Sequence, residues 1–379
     1  MWADAGWAAK PKGSDRIYKI WRSQCAMKGV KMNKELLKEM ITCISPSGRE
    51  EMLQKCIYRH YKQDFDTFMV EEQGTLTGIV NPDADFKIQL AGHADEISLV
   101  VTGYNEDGSL QVADNGHVYP KLYVGAKVQI LTDSGIVKGV VGHTQALHKK
   151  EEVRCRDLFV DIGCESAEEA EQTVPKGSYL VHDTDMIELQ KDKLAGRAFD
   201  DRIGVYIVFE AAKKAAQMGA SHGIYATATT GEENTGRGAY ASASRIKPNI
   251  CVAVDVTYAA DYRDADADGN VKLGKGGVIC RGSIPNRKLN SLLEACAKEL
   301  DLPVQFEVFS GRTYTDADTM LKTNESVPQV LFSVPLRYMH SPVEVLSMKD
   351  VDSMVEILAF FLIKISPEDS LLPYRLDED

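Results

Sequence analysis

The chain has 379 residues, 44% apolar and 26% charged, and a net charge of −12 from 44 basic against 56 acidic side chains. That length suggests about two domains with ample core material. The acidic balance argues against broad nucleic-acid binding, and no window reaches the roughly 18 consecutive apolar residues of a membrane helix.

Residues 1–31 stand apart, with all three tryptophans (Trp2, Trp7, Trp21) among Lys10, Lys12 and Arg16. They lack the apolar stretch of a signal peptide and read as an extension, with Met32 opening the domain proper. From Asn33 the spacing of Leu36, Leu37, Met40 and Ile41 predicts a helix. Ser45-Pro46-Ser47-Gly48 breaks it, and Met52, Leu53, Cys56 and Ile57 mark a second amphipathic helix. Short strand-like runs follow, ending in Lys87-Ile88-Gln89-Leu90-Ala91.

Residues 97–192 read as a separate β-rich insert. Runs 128–131 and 136–141 flank the turn signal Thr132-Asp133-Ser134-Gly135, and 158–162 is a further strand candidate. After Asp192 helices and strands alternate. Helices are expected at 203–218, 289–300 and 351–365, and strands at 224–229, 250–254, 304–309 and 329–334. Such alternation implies an α/β fold with a mainly parallel, helix-covered sheet. The insert would interrupt one α/β domain made of residues 32–96 and 193–379.

In open α/β sheets ligands bind beyond the carboxyl ends of the strands. Four expected strands are followed by candidate groups: Gly92-His93-Ala94-Asp95-Glu96, Gly231-Glu232-Glu233-Asn234, Asp255, and the stretch from Pro335 to His340-Ser341-Pro342. Phe199-Asp200-Asp201 opens a helix, where an acid can simply cap free backbone N–H groups. Taken singly, each has an ordinary explanation: a surface histidine, a solvated acidic pair, a turn aspartate. Together, His93, Asp200, Glu233, Asp255 and His340 supply two imidazoles and three carboxylates, a compact set suited to two divalent cations. The mixed N/O donors suit zinc first, with cobalt or manganese as alternatives.

The blocks 91–97, 198–204, 231–233, 255–257 and 337–342 resemble the motifs of the di-metal glutamyl and tetrahedral aminopeptidases, a family sometimes labelled endoglucanase, in order and spacing from about Met32 to the last helix. The resemblance implies a zinc-peptidase-like fold and an aminopeptidase acting on peptides through a metal-bridged water. It makes Asp200 the bridging carboxylate, His93 and Asp255 the ligands of one metal, and Glu233 and His340 those of the other. Glu232 would be the general base and Asp95 the acid that orients His93. It casts the β-rich insert as a dimerisation domain and implies homo-oligomers from dimers up to dodecamers. Tyr314, in the loop 311–317, stands where the family normally carries Gly, so it either reshapes the substrate pocket or is a surface residue in a tolerant loop. Arg312 and Arg337 are further candidates for substrate contact. The remaining histidines (His60, His117, His143, His148, His182, His222) fit no ligand spacing.

Eight cysteines without C-x-x-C spacing read as reduced thiols, hence a cytoplasmic protein. The alternatives are a glycoside hydrolase, which needs two carboxylates and leaves His93, His340 and Asp200 unexplained, a related di-metal amidohydrolase or deacylase, and a catalytically silent shell protein.

Overall fold

The computed structural model describes residues 32–265, 269–374 and 376; the expected extension over residues 1–31 lies outside them. Helix α1 (Lys34–Thr42) starts where the Asn33 side chain accepts the Leu36 N–H, and buries Leu36, Leu37, Met40 and Ile41 as their spacing predicts. After Gly48, whose φ of +103° breaks the chain direction, comes α2 (Glu51–Tyr61). The next strands are β1 (Thr67–Val70), β2 (Leu76–Val80) and β3 (Lys87–His93).

The chain then leaves the sheet. Strands β4 (Ser98–Tyr104), β5 (Leu110–Asn115), β6 (Lys127–Thr132), β7 (Gly135–Val141), β8 (Phe159–Asp161) and β9 (Tyr179–His182) close into a barrel in the order β4-β5-β8-β7-β6-β9. Short helices α3 (Gln145–His148) and α4 (Ala167–Thr173) decorate it. The barrel has its own core around Leu99, Val112, Ile130, Val160 and Leu180. It ends at His182, short of the expected boundary at Asp192, and the difference has a clear cause. Strand β10 (Ile187–Leu189) pairs with β11 (Lys193–Gly196), which pairs in turn with β17 (Glu344–Ser347). Residues 187–192 therefore belong with the α/β part.

There the elements are α5 (Phe199–Gln217), β12 (Gly223–Thr229), α6 (Arg237–Ile246), β13 (Ile250–Tyr258), β14 (Val278–Gly282), α7 (Arg287–Leu300), β15 (Gln305–Phe309), α8 (Asp316–Met320), β16 (Gln329–Leu336) and, after β17, α9 (Met348–Lys364). The large sheet runs β1-β2-β12-β3-β13-β16-β14-β15. Its centre, β12-β3-β13-β16, and the β14-β15 pair are parallel, while β1-β2, β2-β12 and β14-β16 are antiparallel, so four of the seven pairings are parallel and the sheet is mixed toward its edges. The two faces differ in side-chain size. Ile250, Val252, Val254 and Val256 of β13 pack on the large core shared with α1, α2, α5, α7 and α9, whereas Cys251 and Ala253 face the small residues of α6 and α8. Among the described residues no helix is long and apolar enough to cross a membrane.

Candidate active site

Strands β3 and β13 are parallel neighbours, with Cys251 opposite Gln89 and Ala253 opposite Ala91. Because side chains alternate faces, two more residues along the same face bring His93 beside Asp255. Their closest approach, Nε2 to Oδ1, is 3.9 Å. The sequence places both beyond their strands, but His93 is the last residue of β3, and β13 runs on past Asp255 to Tyr258.

Asp200 and Asp201 lie at the start of α5, where the peptide between them is cis and both depart from helical φ/ψ. The capping role falls to Asp201, whose carboxylate accepts the N–H groups of Gly204 and His93, each at 3.0 Å. Asp200 faces two histidines instead: its Oδ1 is 3.0 Å from His93 Nε2 and its Oδ2 is 3.2 Å from His340 Nε2. His340 sits in the β16–β17 loop at φ +61°, and its Nε2 is 3.6 Å from Glu233 Oε2. Two three-residue groups result, His93–Asp200–Asp255 and Asp200–Glu233–His340, each with donor atoms within 4.8 Å of one another. Asp200 belongs to both.

Asp95 is more than a partner for His93. The His93 Nδ1 lies 3.1 Å from the Asp95 carbonyl oxygen and 3.5 Å from its carboxylate. Donation to that carbonyl leaves Nε2 directed at Asp200. The Asp95 carboxylate itself accepts the Ser47 hydroxyl at 2.5 Å and the backbone N–H groups of Glu232 at 3.0 Å and Glu233 at 3.2 Å. Asp95 therefore fixes the turn that carries the expected base. Glu50 supports the same turn, accepting the Gly231 N–H at 3.1 Å.

The electrostatics follow from crowding acids at buried positions. Burial, with Asp200 nearby, raises Asp255 to about 8. Burial also lifts Glu232 and Glu233 well above the ordinary carboxyl value, and neighbouring acids add to it. Burial opposes the Asp200 charge too, but hydrogen bonds from His340 and His93 hold that carboxyl below its usual range. Glu233 Oε1 is buried with no hydrogen-bond partner among the described residues. Imidazole nitrogens and hard carboxylate oxygens, repelling one another and partly unpartnered, fit a pair of divalent cations.

A cavity of about 550 Å3 opens on this cluster. Arg312 and Tyr314 line it; Arg312 is 3.4 Å from Asp318, and Tyr314 is 76% exposed at φ +58°, a left-handed backbone setting that favours glycine. Arg337 does not line the cavity: one edge of its guanidinium donates to the Asp261 carboxylate, Nη2 at 2.7 Å and Nε at 2.8 Å. Two further groups carried no sequence signal. Glu344 accepts the His340 N–H at 2.9 Å and the Asp200 N–H at 3.2 Å, fixing the backbones of both. His117, from the loop after β5, also lines the cavity.

Residues 74–357 match the model of the M42 glutamyl aminopeptidase family. A lysyl aminopeptidase of Pyrococcus furiosus is 31% identical over 345 residues, 88% of this chain and 98% of that protein. Among solved structures, an aminopeptidase from the archaeon Desulfurococcus kamchatkensis superimposes with a TM-score of 0.82 at 31% identity, over 88% of this chain and 95% of that one. The TET1 peptidase of Pyrococcus horikoshii, which can assemble into a tetrahedron or a large octahedral shell, gives 0.79 at 29% identity, over 88% and 99%. The paired clusters around Asp200 thus lie within a matched length of chain that leaves little outside it, and the protein belongs to the M42 family of aminopeptidases.

Proposed function

We propose that the chain removes N-terminal residues from peptides with two divalent cations per subunit, zinc before cobalt or manganese. One observation carries this reading: two donor triads share Asp200 while Glu232 Oε2 stands 4.0 Å from His93 Nε2. Asp200 would bridge, His93 and Asp255 would complete one site, and Glu233 and His340 the other. When bound, the cation pair polarises the scissile carbonyl and acidifies a shared water. Glu232 takes the proton of the attacking water and delivers it to the leaving amine. A free substrate amine beside Glu233 would restrict cleavage to the chain's first bond. Arg312 and Tyr314, on the cavity wall, would contact the departing residue's side chain.

The barrel would be a dimerisation module inserted into a catalytic domain formed by residues 32–96 and 187–379. The exposed Ile136 and Val140 on β7 supply apolar surface for that contact, and assembly could extend to a dodecamer. The described cysteines, all free thiols, support a cytoplasmic setting.

Glu232→Gln tests the assignment of the base. Turnover of an aminoacyl anilide should fall by about 10²–10⁴-fold, with two metals per subunit retained on elemental analysis. Undiminished turnover would remove Glu232 from the role.

A further inference from the structure

The barrel contributes to the cavity through the loop that follows β5, and that loop is tied directly to the turn bearing Glu232 and Glu233. Asn115 Nδ2 donates to the Ser47 carbonyl at 3.2 Å and to Ser98 Oγ at 2.9 Å, while its Oδ1 accepts from Asn234 Nδ2 at 2.9 Å. Gly116 follows at φ +91°, and a Cβ there would stand 2.8 Å from Ile97 Cγ2 and 3.5 Å from Glu233 Cβ. Two successive residues thus pin the loop beside Glu233. The next residue, His117, is exposed yet lines the active cavity. Its ring lies 5.8 Å from that of His340 at 51°, and Tyr119 packs edge-on against it at 5.3 Å.

The donors on the cavity wall narrow the choice of role. Among the nitrogen donors there, His93 and His340 face carboxylates and the Arg312 Nε is held by Asp318 at 3.4 Å, while the remaining donors on the wall include the hydroxyls of Tyr258 and Tyr314. Asp200, Glu232, Glu233 and Asp255 are acceptors when ionised. Neither ring nitrogen of His117 has a hydrogen-bond partner among the described residues, and a neutral imidazole carries one N–H in either tautomer. Amide hydrolysis places negative charge on the carbonyl oxygen as water adds, and a fixed donor aimed at that oxygen lowers the barrier. Glu232 Oε2 lies 4.0 Å from His93 Nε2 and the His117 ring 5.8 Å from that of His340, so base and donor each stand beside a different histidine of the cluster.

We propose that His117 is a catalytic residue presented by the barrel, donating a hydrogen bond to the scissile carbonyl oxygen as it becomes negative. The role rests on the aminopeptidase reading above and requires no change in the protonation of His117.

The test compares metal-loaded wild type, His117→Ala and His117→Gln. Three quantities are read: kcat and KM on an aminoacyl anilide, metal per subunit, and calorimetric affinity for a phosphinic dipeptide, which mimics the tetrahedral state, against that for the product amino acid. His117→Ala should lower kcat by about 10²-fold and move KM by less than about threefold. Phosphinate affinity should weaken in parallel with kcat, while amino-acid affinity and metal content hold. His117→Gln, which keeps an N–H, should recover part of the loss. An alanine variant with wild-type kcat, an equal loss of affinity for both ligands, or lost metal would overturn the proposal. Failure of the wild-type protein to cleave the anilide would instead overturn the underlying reading, before any variant is compared.

Discussion

The large sheet and the barrel meet at one cavity but serve it in opposite ways. Strands β12 and β16 are buried at every residue, their interior polar groups such as Thr227 are uncharged and hydrogen-bonded, and the ionisable His93 and Asp255 stand side by side toward the carboxyl ends of β3 and β13. The barrel strand β7 is mostly exposed or half-buried, and among the described residues its framework reaches the cavity through His117 in the loop after β5. Where strands are buried on both faces, position along the strand decides what can be chemical. Where one face meets solvent, position says little, and a loop's anchoring decides instead.

The sharpest way to break this comparison is to remove the group shared by both donor triads. Asp200→Ala should reduce bound metal from two per subunit to below one and cut kcat/KM at least about a thousandfold, or ~4 kcal/mol at 1.36 kcal/mol per decade. Elemental analysis and steady-state kinetics read both. A smaller effect is expected at Asp95, which supports the site without belonging to either triad. In Asp95→Asn an amide N–H group replaces one of the oxygens that accept the Glu232 and Glu233 N–H groups, and activity should fall by about 10–100-fold. Metal affinity, followed by competition with a chelator, should weaken with it.

The barrel side predicts an effect on stability rather than chemistry. His182, the last residue of β9, is buried and stacked on Tyr123 at 3.9 Å. Burial, with Arg197 nearby, lowers its pKa from 6.5 to about 4. The unfolded chain therefore takes up a proton below pH 6.5 that the folded chain refuses until about pH 4. Stability from this group is full above pH 6.5 and is lost as pH falls toward 4, on the order of 3 kcal/mol at ~1.4 kcal/mol per pH unit. His182→Phe keeps an aromatic ring against Tyr123 and removes the titration, so its melting temperature should fall less than that of wild type between pH 7 and pH 5. Equal acid sensitivity would place the loss elsewhere.

The smallest effect belongs to Tyr314. Tyr314→Gly relieves a left-handed backbone worth about 1 kcal/mol and widens the cavity mouth. Melting temperature should rise slightly, and KM for substrates with a bulky first residue should change by a few fold, as substrate panels would read.

Much of this arrangement was legible before the structure. Apolar runs ending in His, Glu or Asp are conspicuous, and their placement at strand ends pointed to one sheet margin. The register that aligns His93 with Asp255 was not, because strand order is a property of the folded sheet. The division of Asp200 from Asp201 came only with the family resemblance, since two adjacent acids at a helix start look alike until their partners are known. Helix α6 escaped notice because its buried face is built from Gly238, Ala239, Ser242 and Ala243, which give a weak apolar signal. Strand β14 is short and ends in Arg281-Gly282, so it reads as a loop. Glu344 and His117 had no spacing to mark them. One acts through backbone N–H groups, and the other is brought in by a loop of the barrel.

The most direct test is an anomalous difference map from crystals of the zinc-loaded protein. Two peaks roughly 3.5–4 Å apart, flanking the Asp200 carboxylate with His93 and Asp255 on one and Glu233 and His340 on the other, are the expected result. A single peak, or peaks that leave Asp200 uncoordinated, would contradict the shared-carboxylate site.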